Sequence, residues 1–458
     1  MMPLPSYFLA DRPEPGLLTP AMITEACLAL KANRRRYLEA RRTPDLIDAV
    51  AAVAEDWLDP ANPFRQLALA RGPGELGFSR ETLAAGLDAF FASLTREGLR
   101  ALVVQDLGHL ERLDQFCAPE AEARSGRVSW ARGPELLAHI TAGRLPNAPL
   151  LSLVLGLLTR SAQFMKCASG TSLLPRLFAH SLRETEAKLA ACLEIAEWPG
   201  GTEPLEAALF AQAECVTVMG TDATVAAVRA RVPDSVRFLG YGHQLSFGYV
   251  AAEVLAHHNL PRVVAAAARD VVAWNQLGCL SPHAFYVEAG GRNPPERFAA
   301  ALAEALAGLE ATEPRGELPV TEAAAIAARR GFYEVRAAHS RDTQLWCSPG
   351  STAWTVVYES QPRLSPSVLH RFIYVKAVAG VDEALAGADE FRGRVSTVGL
   401  AASGARQQAL VQRLAQWGVR RICPLGRMQQ PPPDWRHDGR PALGELVIWA
   451  DWERPPAW

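Results

Sequence analysis

The first hundred residues carry apolar side chains at the spacing of three to four residues that is typical of helices. This pattern covers residues 19–41, 44–58 and 80–96, and it predicts three helices. Thr19-Pro20 suits the start of the first helix, because threonine caps free amides and proline fits the first helical turn. We therefore predict a helical N-terminal region over residues 1–100.

Between residues 100 and 275 the pattern changes to short apolar stretches that alternate with helical segments. Extended segments or strands are predicted at residues 127–132, 161–168, 215–219 and 236–239. Helices are predicted at residues 134–141, 148–159, 171–194, 204–212 and 225–231. Strands that alternate with helices at this spacing form parallel sheets covered on both faces. The pattern therefore predicts a dinucleotide-binding domain over residues 101–275.

A second α/β pattern follows. Strands are predicted at residues 284–288, 354–359, 371–378, 395–400 and 421–423, and helices at residues 294–309, 320–330 and 404–417. These elements predict a second α/β domain over residues 276–430. The remaining residues, 431–458, contain a proline-rich loop and a final apolar strand at 446–452 whose partner the sequence does not identify. Late strands of this kind often cross to another domain or to another subunit, and the second alternative leads us to expect a homo-oligomer.

Composition narrows the classes of partner. The chain has 47 Lys and Arg against 49 Asp and Glu, so its charge is nearly balanced. A balanced charge argues against nucleic acid as the main binding partner, and the expected partners are small molecules or other protein subunits. Eight scattered cysteines without CxxC pairs favour reduced thiols in the cytoplasm and predict no metal site. Residues 1–18 do not resemble a signal peptide, and the most apolar window, residues 148–158, is about half of a membrane span.

Cys279 lies in a segment that cannot continue a helix. Gly278 precedes it and Ser281-Pro282 follows, which predicts a tight loop of the kind that presents a nucleophile. The alternative is a buried cysteine that acts as a small hydrophobe, which is the commoner role of free cysteine. Position alone does not distinguish these two roles, so the assignment depends on the residues around Cys279.

Three other positions are candidates for ligand contacts. Gly220-Thr221 follows a predicted strand, so the next helix could present its amides to phosphate, although many sheets have such a junction without a ligand. Lys166 lies near the end of another strand, where it is either a binding group or an ordinary surface lysine. His243 follows a third strand and is a possible proton donor or a structural histidine.

Several motifs together resemble the acyl-CoA reductase family typified by LuxC, which is similar in fold to aldehyde dehydrogenases. The resemblance covers about residues 100–455. It rests on Asn275-Gln276-Leu277-Gly278-Cys279-Leu280-Ser281-Pro282, Phe238-Leu239-Gly240-Tyr241-Gly242-His243, Trp198-Pro199-Gly200-Gly201, Gly156-Leu157-Leu158 with Lys166, Ala353-Trp354-Thr355-Val356, and Gly418 to Gly426. It implies an aldehyde-dehydrogenase-like α/β fold with a Rossmann-type cofactor domain and a second, catalytic α/β domain.

The resemblance also implies a reaction. Cys279 would take an acyl group from coenzyme A or another activated donor as a thioester, and NADPH would reduce that thioester to an aldehyde. Thiolates suit this chemistry because they are good nucleophiles and workable leaving groups, and the Cys279 amide could stabilise the oxyanion. The cofactor-binding set would be Lys166, Ser169, Gly220, Thr221 and Thr224. Lys166 resembles a lysine that contacts the adenosine ribose or its 2′-phosphate, which agrees with NADP.

Two departures qualify the implied mechanism. Hydrolytic aldehyde dehydrogenases have a glutamate base about 35 residues before the cysteine, whereas this chain has His243-Gln244 there, which favours reduction or acyl transfer over hydrolysis. Arg144 stands where the family has an asparagine that resembles an oxyanion donor. It could replace that donor, bind an acidic group or mark altered chemistry. The predicted catalytic set is thus Cys279, Arg144 and His243.

Two alternatives to reduction stay open. The chain could be an acyl-carrying or acyl-transferring subunit that holds a Cys279 thioester without reducing it, or a non-catalytic scaffold. A partner protein that activates acyl groups is a further expectation, because the resemblance allows either acyl-CoA or another activated acyl donor.

Overall fold

A computed structural model describes residues 4–12, 18–143, 145–256 and 258–454. The helices are α1 (Pro20–Asn33), α2 (Thr43–Leu58), α3 (Pro63–Leu76), α4 (Arg80–Phe91), α5 (Arg96–Leu107), α6 (Glu120–Ala123), α7 (Asn147–Leu158), α8 (Leu173–Thr185), α9 (Ala187–Ala190), α10 (Glu203–Phe210), α11 (Asp222–Arg229), α12 (Leu260–Val272), α13 (Pro295–Thr312), α14 (Val320–His339), α15 (Val381–Gly387) and α16 (Gly404–Trp417). Among the described residues, no helix combines the length and the apolar character that a membrane span requires.

Fourteen strands form three sheets in the described parts of the chain. The strands are β1 (Arg127–Arg132), β2 (Leu136–Thr141), β3 (Ala162–Cys167), β4 (Leu193–Glu197), β5 (Cys215–Met219), β6 (Arg237–Tyr241), β7 (Leu245–Val250), β8 (Pro282–Glu288), β9 (Thr343–Cys347), β10 (Thr355–Glu359), β11 (Phe372–Val378), β12 (Val395–Ala401), β13 (Arg421–Pro424) and β14 (Ile448–Glu453).

The chain divides into two compact units. The first contains the described residues up to Leu76, residues 87–242 and the described residues from Pro432, and the second contains residues 77–86 and 243–431. The sequence placed the inner boundary after residue 275. The structural boundary comes earlier because β7 is hydrogen-bonded between β8 and β12, which makes it a central strand of the second unit.

The first unit is built on a five-stranded parallel sheet with the order β4-β3-β2-β5-β6. The chain runs outward from β2 to β3 and β4, and then returns to the other side of β2 with β5 and β6. In sheets of this kind ligands bind beyond the carboxyl ends of the strands, where the order reverses. That point lies between β2 and β5 here.

Two helix predictions in this unit were wrong. Residues 136–141, predicted as part of a helix, form β2, and the predicted helix over 171–194 ends at Thr185 before the chain enters β4. All six side chains of β2 are buried between neighbouring strands and the helices on the two faces. A short segment buried on both faces has no alternation of apolar and polar residues, so its periodicity does not distinguish a strand from a helix.

The N-terminal helix α1 packs on this sheet. Ile23, Cys27 and Leu30 are buried in the same apolar cluster as Leu136 and Phe164 of the sheet. Each fully buried side chain of this size stabilises the fold by roughly 1.5–3 kcal/mol. The helical segment predicted from residue 19 is thus part of the first unit's core.

The final strand pairs with β1 in a two-stranded antiparallel sheet. Arg127 lies opposite Glu453 and Arg132 lies opposite Ile448. The partner that the sequence did not identify is therefore a strand of the same unit.

The second unit is built on a seven-stranded sheet with the order β13-β12-β7-β8-β11-β10-β9. All neighbours are parallel except β9, which runs antiparallel to β10. One face packs against α12 and α13, and the other packs against α14, α15 and α16, so the sheet is buried on both faces. The strands predicted from 284–288 onward are confirmed within a few residues.

Packing in the first unit yields a prediction at Gly156 of α7. A Cβ atom there would lie 2.1 Å from Oε1 of the fully buried Gln163, whose amide donates to Leu153 O at 3.1 Å. We expect Gly156→Ala to lower the free energy of unfolding by about 1–3 kcal/mol through overpacking. Gly308→Ala in α13 is the control, because no atom lies within 4 Å of its added Cβ. Urea unfolding that shows equal effects of the two substitutions would contradict this packing.

Candidate functional site

Cys279 lies in a loop between a short 3-10 turn, Ala273–Gln276, and β8. Trp274, Asn275 and Gln276 have φ angles of 51°, 53° and 65°. Side chains other than glycine rarely adopt this left-handed conformation, and each such residue costs of order 1–3 kcal/mol. The loop therefore needs strong local interactions to keep its shape.

Buried side-chain hydrogen bonds supply those interactions. Asn275 Nδ2 donates to Arg315 O at 2.8 Å, and Arg371 Nε donates to Asn275 Oδ1 at 3.1 Å. Gln276 Nε2 donates to Pro282 O at 2.7 Å and to Phe372 O at 2.9 Å. The turn that leads to Cys279 is thus tied to both β8 and β11.

Exposure separates Cys279 from most of the other cysteines. Cys279 is half-buried. The fully buried thiols have pKa values that burial raises to about 12, and these are Cys27, Cys167, Cys192 and Cys215. Burial also raises the pKa of Cys423 to about 11. A thiol that stays protonated is a poor nucleophile, and the four buried ones are also inaccessible, so these five are weaker candidates for a nucleophile than Cys279.

Strand register brings a cation to the same edge of the sheet. Arg421 lies opposite Thr397, which lies opposite Ser246, which lies opposite Pro282, three residues after Cys279. Burial lowers the pKa of Arg421, and the neighbouring groups Cys423, Asp270 and Cys279 oppose that shift. A guanidinium near a thiol favours the thiolate, which is the reactive form.

The segment after β13 packs against the Cys279 loop. Asp270 accepts hydrogen bonds from Gly426 N at 2.6 Å and Met428 N at 2.9 Å. Gln429 Nε2 donates to Ser281 Oγ, and its amide lies so close to Gly278 that a Cβ there would approach Nε2 to 2.4 Å. Glycine at 278 is therefore required by packing against Gln429.

His243 precedes β7, at the same edge of the sheet as Cys279. Its exposed ring lies 6.5 Å from the ring of His283, centroid to centroid. His283 is buried, its pKa is lowered to about 3 by burial and by His243, and its Nδ1 accepts a hydrogen bond from Ser367 N at 3.0 Å. Because His283 stays neutral, His243 is the histidine of this pair that is suited to proton transfer.

In the first unit, Lys166 lies near the carboxyl end of β3. It is only 3% exposed, and its Nζ lies 6.0 Å from the ring centre of Trp198, which follows β4. Burial lowers the pKa of Lys166, and Glu206 and Glu197 oppose that shift. Trp198 Nε1 is buried and has no hydrogen-bond partner among the described residues. An unsatisfied donor beside a buried cation at this edge fits a bound ligand with acceptor oxygens.

Gly220 and Thr221 follow β5 at the same edge. Thr221 Oγ1 accepts a hydrogen bond from Thr224 N at 3.2 Å and caps α11. A Cβ at Gly220 would lie 3.1 Å from that of Ala142, which follows β2. The backbone after β5 therefore lies close to the segment that follows β2. This is the point where the strand order reverses, and dinucleotides bind at such points in sheets of this kind.

The predicted residues fall into two groups. Cys279 and His243 lie in the second unit, and the predicted cofactor contacts Lys166, Ser169, Gly220, Thr221 and Thr224 lie in the first. Arg144 lies outside the described residues. The sequence does not identify three residues that contact or flank the Cys279 loop, namely Ser246, Arg421 and Gln429. Only strand register and packing bring them to Cys279, and no local motif indicates this.

A family model for acyl-CoA reductase (LuxC) matches residues 38–449. The chain belongs to the acyl-CoA reductase (LuxC) family. Membership supports an aldehyde-related oxidoreductase. No curated protein matches the sequence.

Solved structures similar to this LuxC-family chain have the aldehyde dehydrogenase fold. An NAD-dependent benzaldehyde dehydrogenase from Corynebacterium glutamicum has a TM-score of 0.70 at 13% identity, covering 96% of this chain and 90% of that one. The Delta-pyrroline-5-carboxylate dehydrogenase from Mycobacterium tuberculosis has a TM-score of 0.67 at 14% identity, covering 95% and 82%. Bifunctional proline utilization A has a TM-score of 0.70 at 16% identity, and the match covers 95% of this chain but only 45% of that longer chain. These likenesses show the fold.

Asp270 in this LuxC-family chain yields a prediction about pH. Burial raises the pKa of its carboxyl group from the ordinary value to about 7. Between roughly pH 4 and pH 7 the folded chain therefore keeps a proton that the unfolded chain loses, so the free energy of unfolding falls as pH rises, by at most about 4 kcal/mol. Asp270→Asn removes this contribution and should flatten the decline. Urea unfolding at pH 5 and pH 8 measures it, and equal pH slopes for variant and wild type would contradict the assignment.

Proposed function

We propose that this chain catalyses the NADPH-dependent reduction of an acyl-CoA, or of another activated acyl thioester, to the aldehyde through a thioester on Cys279. The observation that carries the proposal is the Cys279 loop of this acyl-CoA reductase family member. Its half-buried thiol follows a hydrogen-bonded turn and interacts electrostatically with Arg421. Substrates and partners remain at the level of chemical class.

The first step would be acyl transfer. The Cys279 thiolate attacks the carbonyl carbon of the acyl-CoA, the bond from that carbon to the coenzyme A sulfur breaks, and a thioester on Cys279 forms. Arg421 would favour the thiolate before attack. The Cys279 backbone amide would donate to the oxyanion. His243, exposed at the same edge, would donate a proton to the departing thiolate.

The fate of the thioester depends on the residues before β7. Aldehyde oxidation to the acid requires a carboxylate that activates water, and residues 243–247 contain none. His283, the buried neighbour of His243, is held neutral and already accepts a hydrogen bond from Ser367 N. Slow hydrolysis would leave the thioester available for reduction.

The residues at the carboxyl edge of the first sheet fit a nicotinamide dinucleotide. Lys166, Ser169 and Trp198 would hold the adenosine end, and the α11 terminus with Gly220, Thr221 and Thr224 would face the phosphates. When bound, NADPH would supply the hydride that converts the thioester carbonyl to the aldehyde, with Cys279 released as a thiolate.

Two features support NADP over NAD. Lys166 provides a positive group for the 2′-phosphate, and Ser169 in the same loop is neutral. The acidic side chain at the end of β4, Glu197, already accepts hydrogen bonds from Gly170 N at 2.7 Å and Ser172 N at 3.3 Å. Glu197 is therefore less available to accept a hydrogen bond from the ribose 2′-hydroxyl of NAD. We further propose a cytoplasmic location and an acyl-activating partner. Because β14 pairs with β1 of the same unit, the final strand does not support the homo-oligomer expected from the sequence.

Replacing the nucleophile tests the reaction. Purified protein is assayed with acyl-CoAs of graded chain length and NADPH, following NADPH absorbance and trapped aldehyde. Cys279→Ala should lower kcat by about a thousandfold or more. Cys347→Ala, which removes a half-buried thiol from β9 of the same unit, should leave kcat near wild type. Equal activity of Cys279→Ala and wild type would rule out the mechanism. An acyl adduct on Cys279 that persists after NADPH addition would instead favour the acyl-carrying subunit.

Lys166 yields a separate test of cofactor choice. Loss of a charged hydrogen bond costs about 1.5–3 kcal/mol, so Lys166→Ala should raise KM for NADPH roughly tenfold to a hundredfold. The KM for NADH should change much less, because NADH lacks the 2′-phosphate. Lys188→Ala, an exposed lysine of the same unit, is the matched control. Parallel changes in KM for both cofactors would contradict a contact with the 2′-phosphate.

A further inference from the structure

The second sheet has two β-bulges, one in each of the strands that pair with Ser246 of β7. Leu245 of β7 pairs with Val395, but Ser246 pairs with Thr397, so Ser396 is an extra residue in β12. On the other side Ser246 pairs with Pro282 and Phe247 pairs with Ala284, so His283 is an extra residue in β8. Bulges next to active sites commonly redirect a group or end the pairing.

The two bulges redirect hydrogen bonds onto the Ser246 hydroxyl. Ser246 is 0% exposed. Its Oγ accepts a hydrogen bond from Thr397 N at 3.1 Å and donates one to Cys279 O at 2.7 Å. A side chain thus joins the amide of one strand to the carbonyl of the loop that carries the thiol. Ser246 contacts the Cys279 backbone directly from a neighbouring strand.

We propose that Ser246 is a positioning residue that holds the backbone of Cys279 and so keeps its thiol in the reactive geometry. The inference rests on the proposed function only in treating Cys279 as the nucleophile. The Cys279 carbonyl precedes β8, so no ladder bond of the sheet fixes it. With the carbonyl held, the peptide plane after Cys279 is set by β7 and β12, which are both interior strands of the sheet.

A substitution at Ser246 should disturb the thiol in a defined way. Removal of the hydroxyl deletes the hydrogen bond that Cys279 O accepts and the one that Thr397 N donates, and the loss of a partner by a buried group such as Thr397 N costs about 1–3 kcal/mol. The loop would relieve this cost by moving, because its preceding turn is already in a strained conformation. The thiol would then shift relative to the Arg421 guanidinium, whose Coulombic interaction with Cys279 favours the thiolate.

Ser396 provides a matched control. It is a fully buried serine in β12, and it precedes Thr397, whose amide donates a hydrogen bond to Ser246 Oγ. Its own Oγ has no hydrogen-bond partner among the described residues. Ser396→Ala removes the same atoms as Ser246→Ala at the same level of the sheet. It breaks no hydrogen bond of the described structure, so it controls for the loss of a buried hydroxyl.

The experiment measures the thiol without using the proposed reaction. Wild type, Ser246→Ala, Ser246→Thr and Ser396→Ala react with iodoacetamide from pH 6 to pH 9.5, and mass spectrometry of the Cys279 peptide gives the rate at that site. A positioning role predicts that Ser246→Ala slows alkylation at pH 7 roughly tenfold and moves the pH midpoint upward. Ser246→Thr, which keeps the hydroxyl, and Ser396→Ala should react like wild type.

The steady-state assay adds a second readout. With acyl-CoA and NADPH, Ser246→Ala should lower kcat roughly tenfold while KM for acyl-CoA changes by less than about threefold, since binding contacts are kept. If wild type reduces no acyl-CoA, the proposed function fails, but the alkylation profile still tests the positioning role. The two failures are therefore distinguishable.

Two outcomes would overturn the inference. One is a Cys279 alkylation profile in Ser246→Ala that matches Ser396→Ala. The other is a lowered melting temperature with an unchanged profile at 15 °C, which would show a purely structural role. If Ser246→Ala does not fold by circular dichroism, the isosteric pair Ser246→Thr and Ser246→Val replaces it, since the two differ only in the hydroxyl. Equal profiles for that pair would also overturn the inference.

Discussion

The parallel pairing of β7 between β8 and β12 is the constraint on which the Cys279 site depends. Parallel strands begin at the same edge of a sheet, so the segments that precede them meet there. Pairing of β7 with β8 places His243 and Cys279 at one edge, and pairing through β12 to β13 adds Arg421. The bulges at Ser396 and His283 then adjust this edge around Ser246. Residues far apart in sequence become one site through register alone.

The position of Cys279 at this edge of the second sheet accounts for the half-buried arginine beside it. In the first sheet the candidate cofactor contacts lie at the carboxyl ends of strands, where helices begin and present free amides to anions. Cys279 lies at the opposite kind of edge, shortly after the end of α12. A helix carboxyl end carries partial negative charge, which disfavours a thiolate nearby. Arg421 supplies the opposite charge, and its two hydrogen bonds, to Met428 O at 2.6 Å and Arg427 O at 3.0 Å, hold it in place.

The sequence predicts local features of this protein better than features that depend on register. Gly278 and Pro282 indicate the Cys279 loop because they act on their own backbone. β2 is missed because its side chains are buried on both faces, which removes the alternation that marks a strand. Ser246 is missed for another reason. It is an ordinary serine in a strand, and its importance comes from one extra residue in each neighbouring strand, which only the paired sheet reveals.

The strained turn before Cys279 also depends on contacts with residues that are distant in sequence. Three successive residues in left-handed conformation are unfavourable, and the fold keeps them because Asn275 donates to the carbonyl of Arg315 and Gln276 donates to the carbonyls of Pro282 and Phe372. A relaxed turn would remove these donors, although Phe372 O would still accept a hydrogen bond from Ser367 Oγ. The strain is therefore balanced by hydrogen bonds that exist only in the strained geometry. These hydrogen bonds oppose relaxation of the turn, and in the proposed reaction a thiol that attacks an acyl carbon benefits from a loop that is held in one place.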